Sequence, residues 1–530
     1  MPDQSFSSET TLVAPTLWRR RAAMSLFVLF ALLMGFYGLT AIEAAHTNFA
    51  ATYDPGVHEG RVAAQQSIVS GNREDVAMEY ARETGMLLPI ISTLTDTQPV
   101  FYGHDGLYDT LIYYAEMPKS HIATLSLHNL LGGLCMLFGA FQFWPAFRQR
   151  YPRWHRGFGM VYMIAAQAGM IAAMAYMLMT PLEKMYDTLT FTVGLWFLAI
   201  GVTLTLWMSI WHLWRREYAQ HQAYMALNYG FLLTAPFTRI NWAWAAGLFP
   251  DLSQNTSNYL ATAVLIPGCI LVGYALLCMN RWLQKGRTVP NPKPGIAPDL
   301  RPRLQALFTR AALVLAALGI VTLIWTGMLY PGLENSSLAH QLMPASVINH
   351  DSQVLGQGLT LSRAIYAVTA IAALLCAMPF LRQAFMKNAA PKPGLDRWAI
   401  SLAVMAAISG AIMLVWGWQL GGPSKDTLAG GISFMFNGVC AIGFALLLMK
   451  ALIRKDSALV KEHGVFTFLA VLAFPAFYWM LVGLNLFPIP TVYIDGGHVY
   501  RLSMYFGLFL LTAGVVYSAY GEATQRRYAR

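Results

Sequence analysis

Two histidines, each placed just after a turn rich in arginine, are the residues of this sequence best suited to hold a cofactor. His155 follows Arg148-Gln149-Arg150-Tyr151, and His221 follows Arg215-Arg216-Glu217-Tyr218. A neutral imidazole donates a ring nitrogen to haem iron without bringing a net charge into lipid. If the helices that begin at these histidines run in the same direction, both rings lie at one depth. We therefore expect His155 and His221 to be the metal ligands of a haem b, or the contacts of a quinone.

Arg156 stands beside the first histidine and is a further candidate for cofactor binding, because a guanidinium pairs well with a haem propionate. Gly157 and Gly159 follow it and would let a macrocycle approach the helix closely. Histidines in a basic turn at a membrane surface also cap helices or contact lipid phosphates. An interfacial structural role for both histidines is therefore the alternative.

Two other ionisable residues lie inside apolar stretches, where they are costly and mark functional sites by default. His128 precedes Asn129 and Gly132-Gly133, and Arg239 lies deep in a later apolar stretch. Because the apolar stretches carry no acidic residue near their centres, the anion for Arg239 is expected from a ligand such as a carboxylated substrate, a lipid headgroup or a haem propionate. Backbone carbonyls freed by Pro236 are the alternative partner. Both His128 and Arg239 are candidate cofactor-binding residues.

The composition requires that these residues be positioned by membrane helices. The chain has 530 residues, of which 56% are hydrophobic and 12% are charged, about half the charged fraction of soluble domains. Its apolar runs are long enough to span a bilayer, which excludes a soluble enzyme. The sequence predicts an all-α integral membrane protein with about twelve spans, near residues 23–45, 121–146, 156–179, 189–213, 222–247, 259–281, 304–329, 361–381, 397–420, 429–452, 464–487 and 499–521.

The basic residues indicate how these spans are oriented. The formal net charge is +10, and about three quarters of the 36 lysines and arginines fall in alternate loops and in the two tails. This asymmetry is the positive-inside rule and predicts that both termini lie in the cytoplasm of a bacterial inner membrane. The expected partner of the excess charge is the lipid bilayer, and no nucleic-acid partner is implied.

Matching motifs predict that the chain is a parallel repeat of two six-helix halves. Pro152 to Arg156 corresponds to Pro393 to Arg397, His221 corresponds to His463, and Pro236 corresponds to Pro475. Asp396 then replaces the first histidine, so the second half lacks a histidine pair. The predicted units are a cytoplasmic tail at 1–22, a first half at 23–287 with a periplasmic insertion at 46–120, a Pro-rich linker at 288–303, and a degenerate second half at 304–530 with an insertion at 331–360. The insertions are expected to form a helical periplasmic cap.

The spacing of these residues resembles that of a known family. His128 with its glycines, Gln142-Phe143, Arg148 to Gly159, Tyr162, His221 and Arg239 resemble the bacterial predicted-membrane-protein family catalogued as domain of unknown function 2306. The resemblance covers roughly residues 120–245 and, more weakly, residues 360–485. It implies the architecture and singles out these residues without implying a reaction. The pattern is also loosely similar to cytochrome b561-like redox proteins, although this sequence lacks their full second histidine pair.

Three functions follow as hypotheses. The first is a multi-pass inner-membrane redox protein that binds haem b or quinone and exchanges electrons with a redox partner. The second is a secondary transporter of a small anionic substrate that uses Arg239 within two six-helix halves. The third is a non-catalytic assembly or scaffold subunit of a membrane complex, with the cap as its docking surface.

Overall fold

The computed structural model describes most of the chain and is helical throughout the described ranges. These ranges are residues 17–69, 117–185, 188–238, 254–283, 300–329, 337–355, 360–384, 395–422 and 430–515. Their α-helices, in chain order, are α1 (Leu17–Ala50), α2 (Pro55–Val69), α3 (Lys119–Gln142), α4 (Pro145–Arg150), α5 (Pro152–Met179), α6 (Thr188–Trp214), α7 (Tyr218–Leu232), α8 (Gln254–Leu283), α9 (Leu300–Ile324), α10 (Ser337–Leu342), α11 (Ala345–Leu355), α12 (Leu361–Ala384), α13 (Leu395–Gln419), α14 (Gly430–Ile453), α15 (Ser457–Val471), α16 (Ala473–Leu484), α17 (Thr491–Asp495) and α18 (His498–Val515).

Eight of these helices are long and apolar enough to cross a membrane. They are α1, α3, α5, α6, α9, α12, α13 and α14, and a ninth span results if the bent pair α15 and α16 is counted as one. The predicted all-α multi-pass fold is therefore confirmed. The described residues do not reach the predicted number of twelve. Helices α7 and α18 cover the spans predicted near 222–247 and 499–521 only in part. Helix α8 covers the span predicted near 259–281, but its described apolar stretch, Leu265–Asn280, is shorter than a membrane span.

Close contacts between glycines set the spacing of two helix pairs. A Cβ added at Gly438 of α14 would lie 2.6 Å from the carbonyl oxygen of Gly410 in α13, and one at Gly417 would lie 2.5 Å from the carbonyl oxygen of Gly431. Because lipid supplies no hydrophobic force between helices, such close backbone approach is a main source of packing energy in membrane bundles. Helices α1 and α3 make the same kind of contact, where a Cβ at Gly133 would lie 2.7 Å from the carbonyl oxygen of Gly38.

Each of the two predicted halves contains a broken helix. Helices α7 and α15 are both 15 residues long. Each follows a residue with positive φ, Arg216 at 59° and Lys455 at 52°. The helical path is interrupted after α7 and again between α15 and α16, where the axis bends by 50°. A proline lies just beyond each break, Pro236 in the first half and Pro475 in the second, and the missing N–H of proline accounts for the interruption.

These two turns change the predicted alignment of one histidine. The third residue of α7 after Tyr218 is His221, and the corresponding residue of α15 is Val460. His463 lies one turn farther along α15 and matches Tyr224. The second half therefore has an apolar side chain where the first half has a candidate ligand.

The two halves contact each other through α6, α8, α15 and α18. Thr190 Oγ1 lies 3.0 Å from His498 Nδ1 and joins α6 to α18. Tyr274 of α8 donates its hydroxyl hydrogen to the Glu462 carboxylate of α15. Of the predicted cap, α2, α10 and α11 are described, whereas most of the helical stretch predicted between residues 61 and 94 lies outside the described residues.

Candidate functional site

The turn between α6 and α7 positions His221 at the start of its helix. Arg216 takes the left-handed conformation, and the backbone N–H of Glu217 donates to the carbonyl of His212 at 2.8 Å. The buried Glu217 carboxylate then bonds His212 Nδ1 at 2.6 Å and Arg215 Nε at 3.1 Å. The acid thus holds the turn together and balances the charge of Arg215.

One nitrogen of His221 is already used by the protein. His221 Nδ1 lies 2.8 Å from Ser209 Oγ, and Ser209 Oγ donates to the backbone carbonyl of His221 at 3.4 Å. His221 Nδ1 also lies 3.2 Å from the backbone carbonyl oxygen of Ser209. A carbonyl oxygen only accepts, so Nδ1 carries the hydrogen, and in the neutral imidazole the lone pair lies on Nε2. This is the tautomer that a metal-ligating histidine takes when a second group orients its ring.

His155 lies at the same end of the first half. It sits in the first turn of α5, which starts with Pro152 at a position where a proline is favoured. Its Nδ1 is buried and has no hydrogen-bond partner among the described residues. The ring is near enough to His221, Arg148 and Arg156 for their charges to interact. The structure therefore places both histidines and these two arginines at one end of the first half.

Two further side chains of this end carry unused hydrogen-bond donors. Gln142 Nε2 and Trp144 Nε1 are buried and have no partner in the described part of the chain. Arg148 lies beside them, since its guanidinium donates to the carbonyl of Gln142 at 3.5 Å. A buried indole N–H can only donate, and leaving it unmade is costly. We call His155, His221, Gln142, Trp144 and Arg148 the basic-end cluster.

Sequence reasoning missed the role of these two donors. Gln142 is the last residue of α3 and Trp144 follows shortly after it. At the end of an apolar run, a polar or indole side chain is typical of the membrane interface. The local signal was Pro145, which starts α4 directly after Trp144 and so marks the break that follows α3. Their burial, however, depends on contacts made by α5 after the chain reverses, and no local pattern records it.

The two glycines near the start of α5 serve different purposes. A Cβ added at Gly157 would meet nothing within 4 Å, so the surface beside it is open. A Cβ added at Gly159 would lie 3.2 Å from Gln142 Oε1. Gly157 is therefore available for close approach of a ligand, whereas Gly159 makes room for a side chain of the protein itself.

His128 is not placed with this cluster. His128 Nδ1 lies 3.0 Å from the carbonyl oxygen of Gly169, a contact that joins α3 to α5. It precedes Gln142 on α3 by nearly four turns, about 20 Å along the axis. A helix-joining role accounts for its burial. Arg239 lies outside the described residues.

A network of hydrogen bonds farther along the same helices joins α5, α6 and α7. Tyr162 of α5 donates its hydroxyl to Asn228 Oδ1 of α7 at 2.7 Å. Asn228 Nδ2 donates to α6 at two points, the carbonyl of Val202 at 2.6 Å and Thr205 Oγ1 at 3.0 Å. All are buried. Satisfied polar groups in a low-dielectric core specify one arrangement, so α5, α6 and α7 hold His155 and His221 in a fixed relation.

The second half carries no equivalent cluster among its described residues. Its turn histidine, His463, lies with Nδ1 3.1 Å from the carbonyl oxygen of Leu447, so it joins α15 to α14. The described residues also contain no group of three or more histidines, cysteines or acids that would hold a metal ion. A metal at the basic end would therefore need ligands beyond the protein, as a haem supplies through its macrocycle.

The region that carries the cluster is the region that matches a known family. Residues 125–276 match the family described as predicted membrane protein (DUF2306). The resemblance expected from the sequence is confirmed, and the DUF2306 region contains the whole basic-end cluster and the network below it. No curated protein and no solved structure matches the chain.

Proposed function

We propose that this protein is a membrane redox protein that binds a haem b at the basic end of its first half, with His155 and His221 as axial ligands. The observation that carries the proposal is which ring nitrogens of the two histidines lack a hydrogen-bond partner. His221 has Nδ1 bonded to Ser209, which leaves its Nε2 lone pair for a ligand, and His155 has a buried nitrogen with no partner. Both residues lie at the same end of neighbouring helices.

The other members of the cluster suit the carboxylate groups of a haem. Gln142 Nε2 and Trp144 Nε1 offer buried donors, and Arg148 adds a positive charge beside them. Carboxylate oxygens accept from such donors more strongly than neutral acceptors do. A bound haem would supply a one-electron carrier, while the chain supplies its ligands, its counter-charges and the rigid frame of α5, α6 and α7.

The test is an absorption spectrum of the full-length protein in lipid nanodiscs, prepared from a host supplied with haem. We expect a Soret band that sharpens with dithionite and is lost in His155→Ala and His221→Ala. His463→Ala is the matched control and should keep the band, because its ring joins α14 and α15 instead. Ser209→Ala should keep haem with lower affinity, since it removes the hydroxyl contact of His221 Nδ1 and leaves the contact with the Ser209 carbonyl.

Colourless, haem-free protein that is folded would refute haem binding. So would a band that survives loss of both histidines. Circular dichroism and a single gel-filtration peak show that each variant is folded, so that a missing band is read as a missing ligand.

A quinone is the second candidate for the same cluster, favoured by its two unused donors. A quinone has two carbonyl oxygens that accept hydrogen bonds and no group that needs a metal ligand. If the protein is colourless, solvent extraction should recover quinone in stoichiometric amount, and Trp144→Phe should lower that amount. Haem-free and quinone-free protein would contradict both forms of the redox proposal.

We also infer that this end faces the cytoplasm of a bacterial inner membrane. The inference rests on the distribution of basic residues, and the clustering of Arg148, Arg153 and Arg156 at one end of α5 supports it. Reporter fusions test it: alkaline phosphatase should be inactive when fused after residue 150 and active when fused after residue 355. The reverse pattern would invert the orientation. An electron partner would then meet the cluster from the cytoplasmic side.

A further inference from the structure

A cavity in the second half lies far from the basic-end cluster in the chain. It contains about 660 Å³ of empty space, its open mouth included, between α11 and the helices α12, α13, α14, α16 and α18. The proposed redox function makes no use of it.

Four aromatic side chains of this cavity form a closed ring of contacts. Tyr366 lies with its centroid 4.9 Å from that of Trp416, and Trp416 lies 6.3 Å from Phe434. Phe434 lies 5.7 Å from Phe474, and Phe474 lies 5.4 Å from Tyr366. The four come from α12, α13, α14 and α16, and all line the cavity. We call them the aromatic box.

A buried acid with no basic partner among the described residues lines the same cavity. Asp351 is 6% exposed, and its one polar side-chain contact in the described residues is the hydroxyl of Tyr500, at 3.3 Å from Oδ2. Burial raises the pKa of this carboxyl to about 7, and the Tyr500 hydrogen bond opposes the rise. A buried carboxylate is normally paired with a cation. Here it faces a cavity instead.

The neighbouring Ser352 gives a second sign of a missing ligand. Its side chain is 4% exposed, and its hydroxyl oxygen is buried with no hydrogen-bond partner among the described residues. Two consecutive polar residues of α11 thus line one cavity with unused hydrogen-bonding capacity. Packing against apolar rings would favour apolar residues at both positions.

Two departures from regular α-helix also meet at this cavity. Thr326 and Gly327 belong to a π-helical turn, Trp325–Leu329, at the end of α9. Phe474 lies at the break between α15 and α16. Single π-helical turns occur frequently at functional sites, and broken helices within a membrane protein are tolerated where they line a cavity.

The remaining titratable groups that line the cavity are one arginine and three tyrosines. Arg363 donates from Nη2 to the carbonyl of Thr326 at 2.8 Å, so it is bonded at the end of the π-helical turn. The structure shows no ion pair between Arg363 and Asp351 within 4 Å among the described residues. Tyr366, Tyr478 and Tyr500 are the tyrosines. The phenol groups are neutral at physiological pH, so Asp351 is the acid that supplies negative charge here.

We propose that this cavity binds a small organic cation, with a substituted ammonium group seated against the aromatic box and Asp351 as its counter-ion. Aromatic faces attract ammonium groups through their quadrupole, and cages of such rings recognise quaternary ammonium ligands. The carboxylate supplies the charge that neutral rings lack, and Ser352 offers a hydroxyl for a polar substituent of the cation. The ammonium group can come from a free amine or from the headgroup of a phospholipid.

Calorimetry on the full chain in phosphatidylglycerol nanodiscs tests the proposal, because that lipid carries no ammonium group. Choline is the cationic probe, and 3,3-dimethylbutan-1-ol, its uncharged carbon analogue, is the neutral one. We expect choline to bind at pH 8, to bind at least tenfold more weakly at pH 5.5 where Asp351 is protonated, and to be lost in Asp351→Asn. Asp495→Asn, at an exposed acid of the same half, is the control and should bind as the parent does.

A second arm distinguishes the two sources of the ammonium group. Native mass spectrometry of protein extracted with phosphatidylethanolamine present should show a retained lipid, lost in Asp351→Asn, if the headgroup is the ligand. Choline binding without retained lipid indicates a free amine.

Three outcomes would overturn the proposal. They are equal binding of the neutral alcohol, unchanged choline binding in Asp351→Asn, and absence of both choline and ammonium lipid from the folded parent. The proposal is independent of the redox function: Asp351→Asn should leave any Soret band unchanged, and the histidine variants should leave choline binding unchanged.

Discussion

Replacing Asp351 by asparagine should make the ligand-free protein more stable at alkaline pH, although the substitution removes the proposed counter-ion. The carboxyl is buried and has the Tyr500 hydroxyl as its polar partner. Asparagine has nearly the same shape, cannot ionise, and keeps an oxygen that accepts from Tyr500. The change therefore removes the cost of a buried charge and little else.

The size of the effect follows from the pKa. Burial raises the pKa of Asp351 from its usual 3.8 to about 7. Between these values the unfolded chain loses its proton while the folded chain keeps it, so the stability of the parent falls as pH rises from about 4 to about 7 and stays low above. At about 1.4 kcal/mol for each pH unit, the loss is on the order of 4 kcal/mol.

Thermal unfolding of the parent and of Asp351→Asn in nanodiscs, measured from pH 4.5 to pH 8.5 without added amines, provides the assay. The variant should differ least from the parent at pH 4.5 and become progressively more stable than the parent up to about pH 7. Asp495→Asn controls for the loss of one negative charge and should show no such divergence. A difference that does not grow with pH would refute the reasoning, and so would a variant that is less stable at pH 8.5. Such a result would mean that a cation already neutralises Asp351.

Two predictions concern the packing of the bundle. Gly438→Ala should destabilise the protein by roughly 1–3 kcal/mol in a thermal melting assay, because its Cβ would lie 2.6 Å from a facing carbonyl oxygen. Gly443→Ala is the control and should be neutral, since nothing lies within 4 Å of its added Cβ. Equal melting temperatures of the two variants would show that α14 shifts freely. Tyr162→Phe should lower the free energy of unfolding by about 1–3 kcal/mol, because it leaves the buried Asn228 oxygen without its 2.7 Å hydrogen bond. Tyr151→Phe, at an exposed tyrosine, is the control and should have no measurable effect. Equal effects of the two changes in denaturant unfolding would contradict the role given to the network.

The helical class and most of the spans could be predicted from the sequence, because hydropathy is a property of contiguous residues. Eight predicted spans appear as regular apolar helices, and a ninth appears as a bent pair. The predicted span near 464–487 is continuous in hydropathy, yet the chain bends there by 50°. Pro475 gave the signal for that break, but the angle is set by the helices against which α15 and α16 pack.

The motifs predict a repeat of two halves, which stays a prediction, but they do not fix its register. The recurrence of histidine suggested that His221 corresponds to His463. The turns at Arg216 and Lys455, with the equal lengths of α7 and α15, place Val460 there instead. Residue identity was the weaker guide to the register, because the same residue type can recur one helical turn away from the position that the preceding turn fixes.

The candidate sites divide in the same way. The pairing of His155 with His221 followed from the sequence alone, because each histidine comes directly after a basic turn at the start of a helix, and a helix start fixes the depth of its first residues. The unpartnered nitrogens of Gln142 and Trp144, and the cavity at Asp351, were decided by tertiary structure. Burial depends on the packing of helices that are distant in the chain. An aspartate in a polar connecting segment therefore gives no sign by itself that it shares a cavity with four aromatic rings.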